Sequence, residues 1–172
     1  MTALALVAVI VGCQGTEPAG KEGGGKEAKP EVLAEGKKMI LPSEPAGAKG
    51  VAELKKSAKD GDEVVMAAQI GGVSRPFVTG RASMVVVDPS LKPAMECSCP
   101  WDFCESDPQE LADGKALVKF VDGKGEPLAA GARELFGLRE LSEVVVKGKA
   151  SRDDQGNLTV LATGIFIRKA KP

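Results

Sequence analysis

Five short β-rich runs, each closed by turn residues, constrain this chain most. They are 63–70, ended by Gly71-Gly72; 81–87, stopped by Asp88-Pro89; 115–121; 143–150; and 158–167. Runs rich in Val and Ile, bounded by Gly, Pro and Asp, mark strands. In the third run, alternation puts Ala116, Val118 and Phe120 on one face and Leu117, Lys119 and Val121 on the other, so one face is expected to be core. Asp122-Gly123-Lys124-Gly125 is turn chemistry, and Asp153-Asp154-Gln155-Gly156-Asn157 predicts a hairpin turn. Two segments read as short helices: 51–59, ended by Asp60-Gly61-Asp62, and 128–141 around Gly131–Gly137. The expectation is a mainly β domain over 51–172 with the order β-β-β-α-β-β.

The chain before residue 51 has a different composition. Three consecutive glycines at 23–25 and the prolines at 18, 30, 42 and 45 interrupt regular structure. Six Lys and six Glu interleave between Gln14 and Gly50. Low apolar content leaves little surface to bury against the entropy of ordering, so 13–50 is expected to be a disordered, flexible linker. Val32-Leu33 and Met39-Ile40-Leu41 are the apolar exceptions, expected to dock weakly on the domain.

Residues 1–13 form an unbroken apolar run ending in Ile10-Val11-Gly12-Cys13. It is too short to span a bilayer, which needs about 20 apolar residues, and has the length of a secretory signal core. The ending resembles the lipobox of bacterial lipoproteins. That resemblance implies a signal peptide over 1–12, a diacylglycerol on Cys13, and an extracytoplasmic, membrane-anchored domain at the cell envelope. Gln14 departs from the Asp that resembles an inner-membrane retention signal, which leans toward the outer membrane in a diderm host.

The element order, with the helix between the third and fourth strands, resembles the OB-fold, a five-stranded partly open barrel. The resemblance covers about residues 61–168, and Gly148 and Gly164 suit the bends such a barrel needs. Many OB-folds bind oligonucleotides on the face of strands two and three. Here the formal net charge is −1, with 23 basic and 24 acidic residues, so no electrostatic footprint for nucleic acid is present. The OB-like periplasmic haem chaperones hold haem through histidine, and this chain has none. The same lack removes histidine triads and His-ligated zinc. With no Tyr, one Trp and five Phe, a base-stacking platform is not expected.

The chemically dense stretch is Met95-Glu96-Cys97-Ser98-Cys99-Pro100-Trp101-Asp102-Phe103-Cys104-Glu105. Three readings stay open. An oxidising compartment favours a disulfide, with Cys99–Cys104 the preferred pair and Cys97–Cys104 the alternative. Three thiolates could hold Cu or Zn, with Asp102 or Glu105 as fourth ligand and Met95 as a thioether donor. A third cysteine beside a bridged pair could carry out thiol–disulfide exchange. Phe77, Arg81, Trp101 and Asp102 are candidates for a binding surface. No constellation for catalysis is present. The expected role is non-enzymatic binding or scaffolding without a cofactor, with an envelope protein or a small molecule as partner and no nucleic acid. The alternative is metal handling or thiol exchange through Cys97, Cys99 and Cys104.

Overall fold

The computed structural model describes residues 28–96 and 98–168. The apolar leader, Cys13 and Cys97 lie outside the described residues. In chain order the elements are α1 (Pro30–Met39), β1 (Lys49–Gly50), α2 (Val51–Ser57), β2 (Glu63–Ile70), β3 (Ser83–Val87), a 3-10 turn (Pro100–Asp102), α3 (Pro108–Asp113), β4 (Lys115–Phe120), α4 (Ala132–Phe136), β5 (Glu143–Arg152) and β6 (Leu158–Ile167).

The strands form one mixed sheet in the order β1-β2-β3-β4-β6-β5, and β2 also pairs with β5. That last pairing is antiparallel and runs from Glu63 opposite Lys149 to Gln69 opposite Glu143. Each of the strands β2 to β6 therefore has a neighbour on both sides. β4 and β6 run parallel, with Leu117 opposite Thr159. Five strands were expected and six are present among the described residues. The extra one, β1, is two residues long and lies parallel to Met66 and Ala67 of β2. A run that short has no period to read.

The alternation expected of the third run holds in β4, where Ala116, Val118 and Phe120 are buried between half-buried neighbours. Met66, Ala68 and Ile70 of β2, Met84 and Val86 of β3, Ala116, Val118 and Phe120 of β4, and Val160 and Ala162 of β6 share one buried cluster. α4 packs over one end, with the Phe136 ring 4.5 Å from that of Phe120. Helix was expected over 128–141, but only Ala132–Phe136 is helical; Gly137 closes it in the left-handed region, as a terminal glycine does. A register shift falls at Lys147/Gly148. A side chain at Gly148 would stand 2.2 Å from the Leu161 carbonyl oxygen, so only glycine lets β5 bend this closely over β6.

The expected disordered linker is corrected over its described part, 28–50. Pro30 is the first residue of α1, with Glu31 in the first turn and Lys37 and Lys38 in the last. Proline is favoured at that position because the missing N–H has no helical partner there, and the charges complement the helix dipole. Val32, Leu33 and Met39 face the main core. Gly36 allows α1 to approach α4: a side chain there would come within 2.7 Å of Leu135 Cδ2. Beyond the helix the Leu41 amide donates to the Ile165 carbonyl at 2.7 Å, and Arg168 holds Glu44 through Nε (3.2 Å) and Nη2 (2.6 Å). The apolar residues expected to dock weakly are thus an integral layer of the fold.

Candidate functional site

The outward face of β3, β4 and β6 carries a row of partly buried side chains, two of them apolar. Val85 stands opposite Leu117, and Leu117 opposite Thr159; all three are half-buried. A groove of about 330 Å³ lies over this row, lined by these side chains with Val73, Lys115, Ala116, Asp153, Asn157 and Leu158. The β5–β6 hairpin supplies one wall and the β2–β3 connection the other.

The hairpin wall is rigid through Asp153. Its Oδ1 accepts from the amides of Gln155 (3.0 Å) and Asn157 (2.8 Å), and its Oδ2 accepts from Asn157 Nδ2 (2.8 Å). The Asn157 side-chain and backbone donors hold this carboxyl below its usual range. It is therefore charged, but committed to its own turn. Lys115 stands differently. No carboxylate among the described residues lies within ion-pair distance of it. Its stem runs past Gly72, where an added Cβ would stand 3.3 Å from Lys115 Cδ.

The opposite wall, around Val73, is buttressed by the cysteine-bearing segment 88–114. Trp101 Nε1 donates to the Ser74 carbonyl at 3.0 Å, and the Trp101 carbonyl accepts from the Gly72 amide at 2.8 Å. The segment is itself anchored by a small apolar cluster of Val87, Leu91 and Phe103, joined by Leu111 and Leu141. Phe103 adopts a left-handed backbone (φ 57°) with its side chain fully buried. Asp88 fixes the start of the segment. Its Oδ1 accepts from the Ser90 amide (3.0 Å) and hydroxyl (2.7 Å), and its Oδ2 from the Ala52 amide (2.9 Å) at the start of α2. At the far end, the Asp107 carboxylate caps α3 through the amides of Gln109 and Glu110. That helix was missed in the sequence, although Asp107-Pro108-Gln109-Glu110 carries a readable cap with proline at the first helical position.

Cys104 is disulfide-bonded and Cys99 is a free, half-buried thiol, so the preferred Cys99–Cys104 pairing is corrected. Between them Pro100–Asp102 form a 3-10 turn that ends on the left-handed Phe103. Packing of Phe103 and Trp101 sets that geometry. Met95 is almost wholly exposed. Among the described residues, no group of three or more Cys, Asp or Glu side chains is arranged to hold a metal. Nor is any helix long and apolar enough to cross a membrane.

The four residues expected to form a binding surface divide. Trp101 braces the groove wall. Asp102 is half-buried in the 3-10 turn. Phe77 lines a separate depression of about 360 Å³ with Val78, Ala130 and Arg133, and the Arg133 guanidinium stands 4.4 Å from its ring centroid. Arg81 is exposed at the nearby turn, its amide donating to the Val78 carbonyl. The groove residues themselves were missed. Leu117 between Lys115 and Lys119 on the solvent face of the third run was the available signal.

No protein-family model matches the chain, and no curated protein matches it.

Proposed function

We propose that this protein is a lipid-anchored, extracytoplasmic binding protein, and that an OB-like barrel is the rigid frame for a ligand groove over Val85, Leu117 and Thr159. The barrel reading is supported by the cyclic pairing of β2-β3-β4-β6-β5 and by the parallel β4–β6 contact, with α4 between β4 and β5. The anchor reading rests on Ile10-Val11-Gly12-Cys13. It places the domain at the envelope, toward the outer membrane in a diderm host. The observation that carries the binding role is the groove itself. Its volume falls at the lower end of the range for small-molecule sites, about 300–1,000 Å³, and Val85 and Leu117 stand side by side on its floor. No catalytic step and no cofactor is invoked.

The test has two arms. Replacing Cys13 with Ser should move the protein from the membrane to the soluble fraction; unchanged fractionation refutes the anchor. With that soluble full-length chain, the neutral apolar dye N-phenyl-1-naphthylamine should bind with a fluorescence gain. Leu117→Glu should remove the gain, because a carboxylate in the floor makes the groove costly to dehydrate.

The alternative is thiol–disulfide exchange, favoured by one observation: a free Cys99 thiol five residues from the bonded Cys104. In this reading Cys97 is the partner of Cys104, and non-reducing peptide mapping should recover that pair. Its metal-handling form with Cu or Zn needs Cys97, Cys99 and Cys104 as thiolates together, and a bridged Cys104 supplies none.

A further inference from the structure

We infer that the groove over β3, β4 and β6 selects a small anionic molecule with a flat apolar body, such as an aromatic carboxylate or sulfonate. The inference rests on the groove being a binding site and adds the class of its occupant.

The width comes from strand geometry. Val85, Leu117 and Thr159 stand on three adjacent strands, and neighbouring strands lie about 4.8 Å apart. The floor therefore spans about 10 Å, the size of two or three fused rings and too narrow for a folded partner. Ala116 and Leu158 lie buried beneath the row, so the floor is closed and cannot deepen to take a bulky branched ligand.

The sign of charge comes from an asymmetry between the two charged lining residues. Asp153 already accepts three hydrogen bonds inside its own turn. Lys55, whose Nζ donates to the Ala112 carbonyl at 2.6 Å, also acts on Asp153 electrostatically. Lys115 lines the groove with no carboxylate partner among the described residues. It is half-buried, its stem packed past Gly72, as a lysine stem covers apolar surface while its ammonium stays available to a partner. An anion laid across Leu117 would give Lys115 its missing partner. A cation would have to compete with Lys55 for an Asp153 that already accepts three hydrogen bonds. Lys119, the outward residue of β4 after Leu117, is half-buried as well and lies outside the groove lining.

Two dyes of similar apolar size separate the claims: 8-anilinonaphthalene-1-sulfonate, which is anionic, and N-phenyl-1-naphthylamine, which is neutral. Both are titrated by fluorescence into the full-length Cys13→Ser chain. Lys115→Met should weaken the anionic dye about tenfold and leave the neutral dye within about twofold, while Lys115→Arg retains both. Raising ionic strength from about 0.01 M to 0.15 M, which shortens the screening length from about 30 Å to 8 Å, should weaken the anionic dye only. If the neutral dye binds but Lys115→Met leaves the anionic dye unchanged, the ligand class is wrong and the groove stands. If neither dye binds, or Leu117→Glu affects neither, the groove reading falls with it. Far-UV circular dichroism of each variant identifies one that fails to fold, and Lys115→Arg then decides: loss of the anionic dye in a folded Arg variant overturns the proposal.

Discussion

The described residues form two apolar clusters of different construction. The main cluster is built from alternate residues of paired strands and closed by α1 and α4. The smaller one has three buried members, Val87, Leu91 and Phe103, and is held in place by polar contacts at Asp88, Trp101 and Asp107. The first is stabilised by area removed from water, the second by a few directed bonds around one aromatic ring. Phe120 and Phe103 make the comparison sharp, since both are fully buried. Loss of a buried Phe side chain costs about 3–5 kcal/mol. Phe120→Ala should take that from the whole molecule, lowering the urea midpoint equally by circular dichroism and by fluorescence. Trp101 is the chain's one tryptophan, so its emission reports on the smaller cluster. Phe103→Ala should therefore separate the probes, with emission changing at lower urea than the sheet signal. Coincident transitions in Phe103→Ala would make the two clusters one cooperative unit.

Asp88 joins the clusters, which makes it the next test. A side chain at Gly50 would stand 2.5 Å from Asp88 Oδ2, so the carboxylate is seated tightly against the start of α2. Burial pushes its pKa up, but donors from Ser90 and from the amides of Ala52 and Val51 outweigh that, and the net shift is downward. A carboxyl lowered on folding adds stability that is complete above its unfolded value, about 3.9, and is lost as pH falls through the lower folded value. Asp88→Asn should cost about 1–3 kcal/mol at neutral pH. The gap from wild type should close as pH falls through the folded pKa of Asp88. A gap that stays constant as the carboxyl is protonated would place the cost in packing and not in the charge.

The same contrast explains how much of the architecture was readable in advance. The strands β2 to β6 were legible as Val- and Ile-rich runs closed by turn residues, and β4 also by its full alternation, with Ala116, Val118 and Phe120 buried between half-buried neighbours. The Asp153 turn was legible because Asp and Asn bond their own backbone. α1 was missed because Pro30 was read as a breaker, whereas at the first helical position it is a start, and Val32, Leu33, Gly36 and Met39 form one face. The groove was invisible for a deeper reason. Leu117 looks like an ordinary solvent-side leucine until Val85 and Thr159 are known to flank it, and β-β register is a long-range fact. The cysteine pairing was misjudged because spacing within a loop says nothing of where Phe103 is buried. Trp101 is expected from the sequence as a surface contact, whereas in the fold its indole donates to the Ser74 carbonyl and braces that connection.

That last distinction can be measured, and the effect should be the smallest of the series. Trp101→Phe keeps an aromatic ring in place and removes only the Nε1 donor to the Ser74 carbonyl. A neutral hydrogen bond is worth about 0.5–1.5 kcal/mol, so the global urea midpoint should fall slightly. The bond restrains Ser74, and Val73 beside it lines the groove. Neutral-dye affinity should therefore drop a few-fold through a faster off-rate, because a looser wall retains its ligand less well. Were Trp101 instead a contact residue, the Phe ring would preserve most of the apolar contact and the off-rate would hold. An unchanged off-rate together with unchanged exchange of the Gly72 amide, which donates to the Trp101 carbonyl, would show that the backbone bond alone secures the wall. The smaller cluster would then resemble the larger one, kept by packing and main chain without help from its side-chain donors.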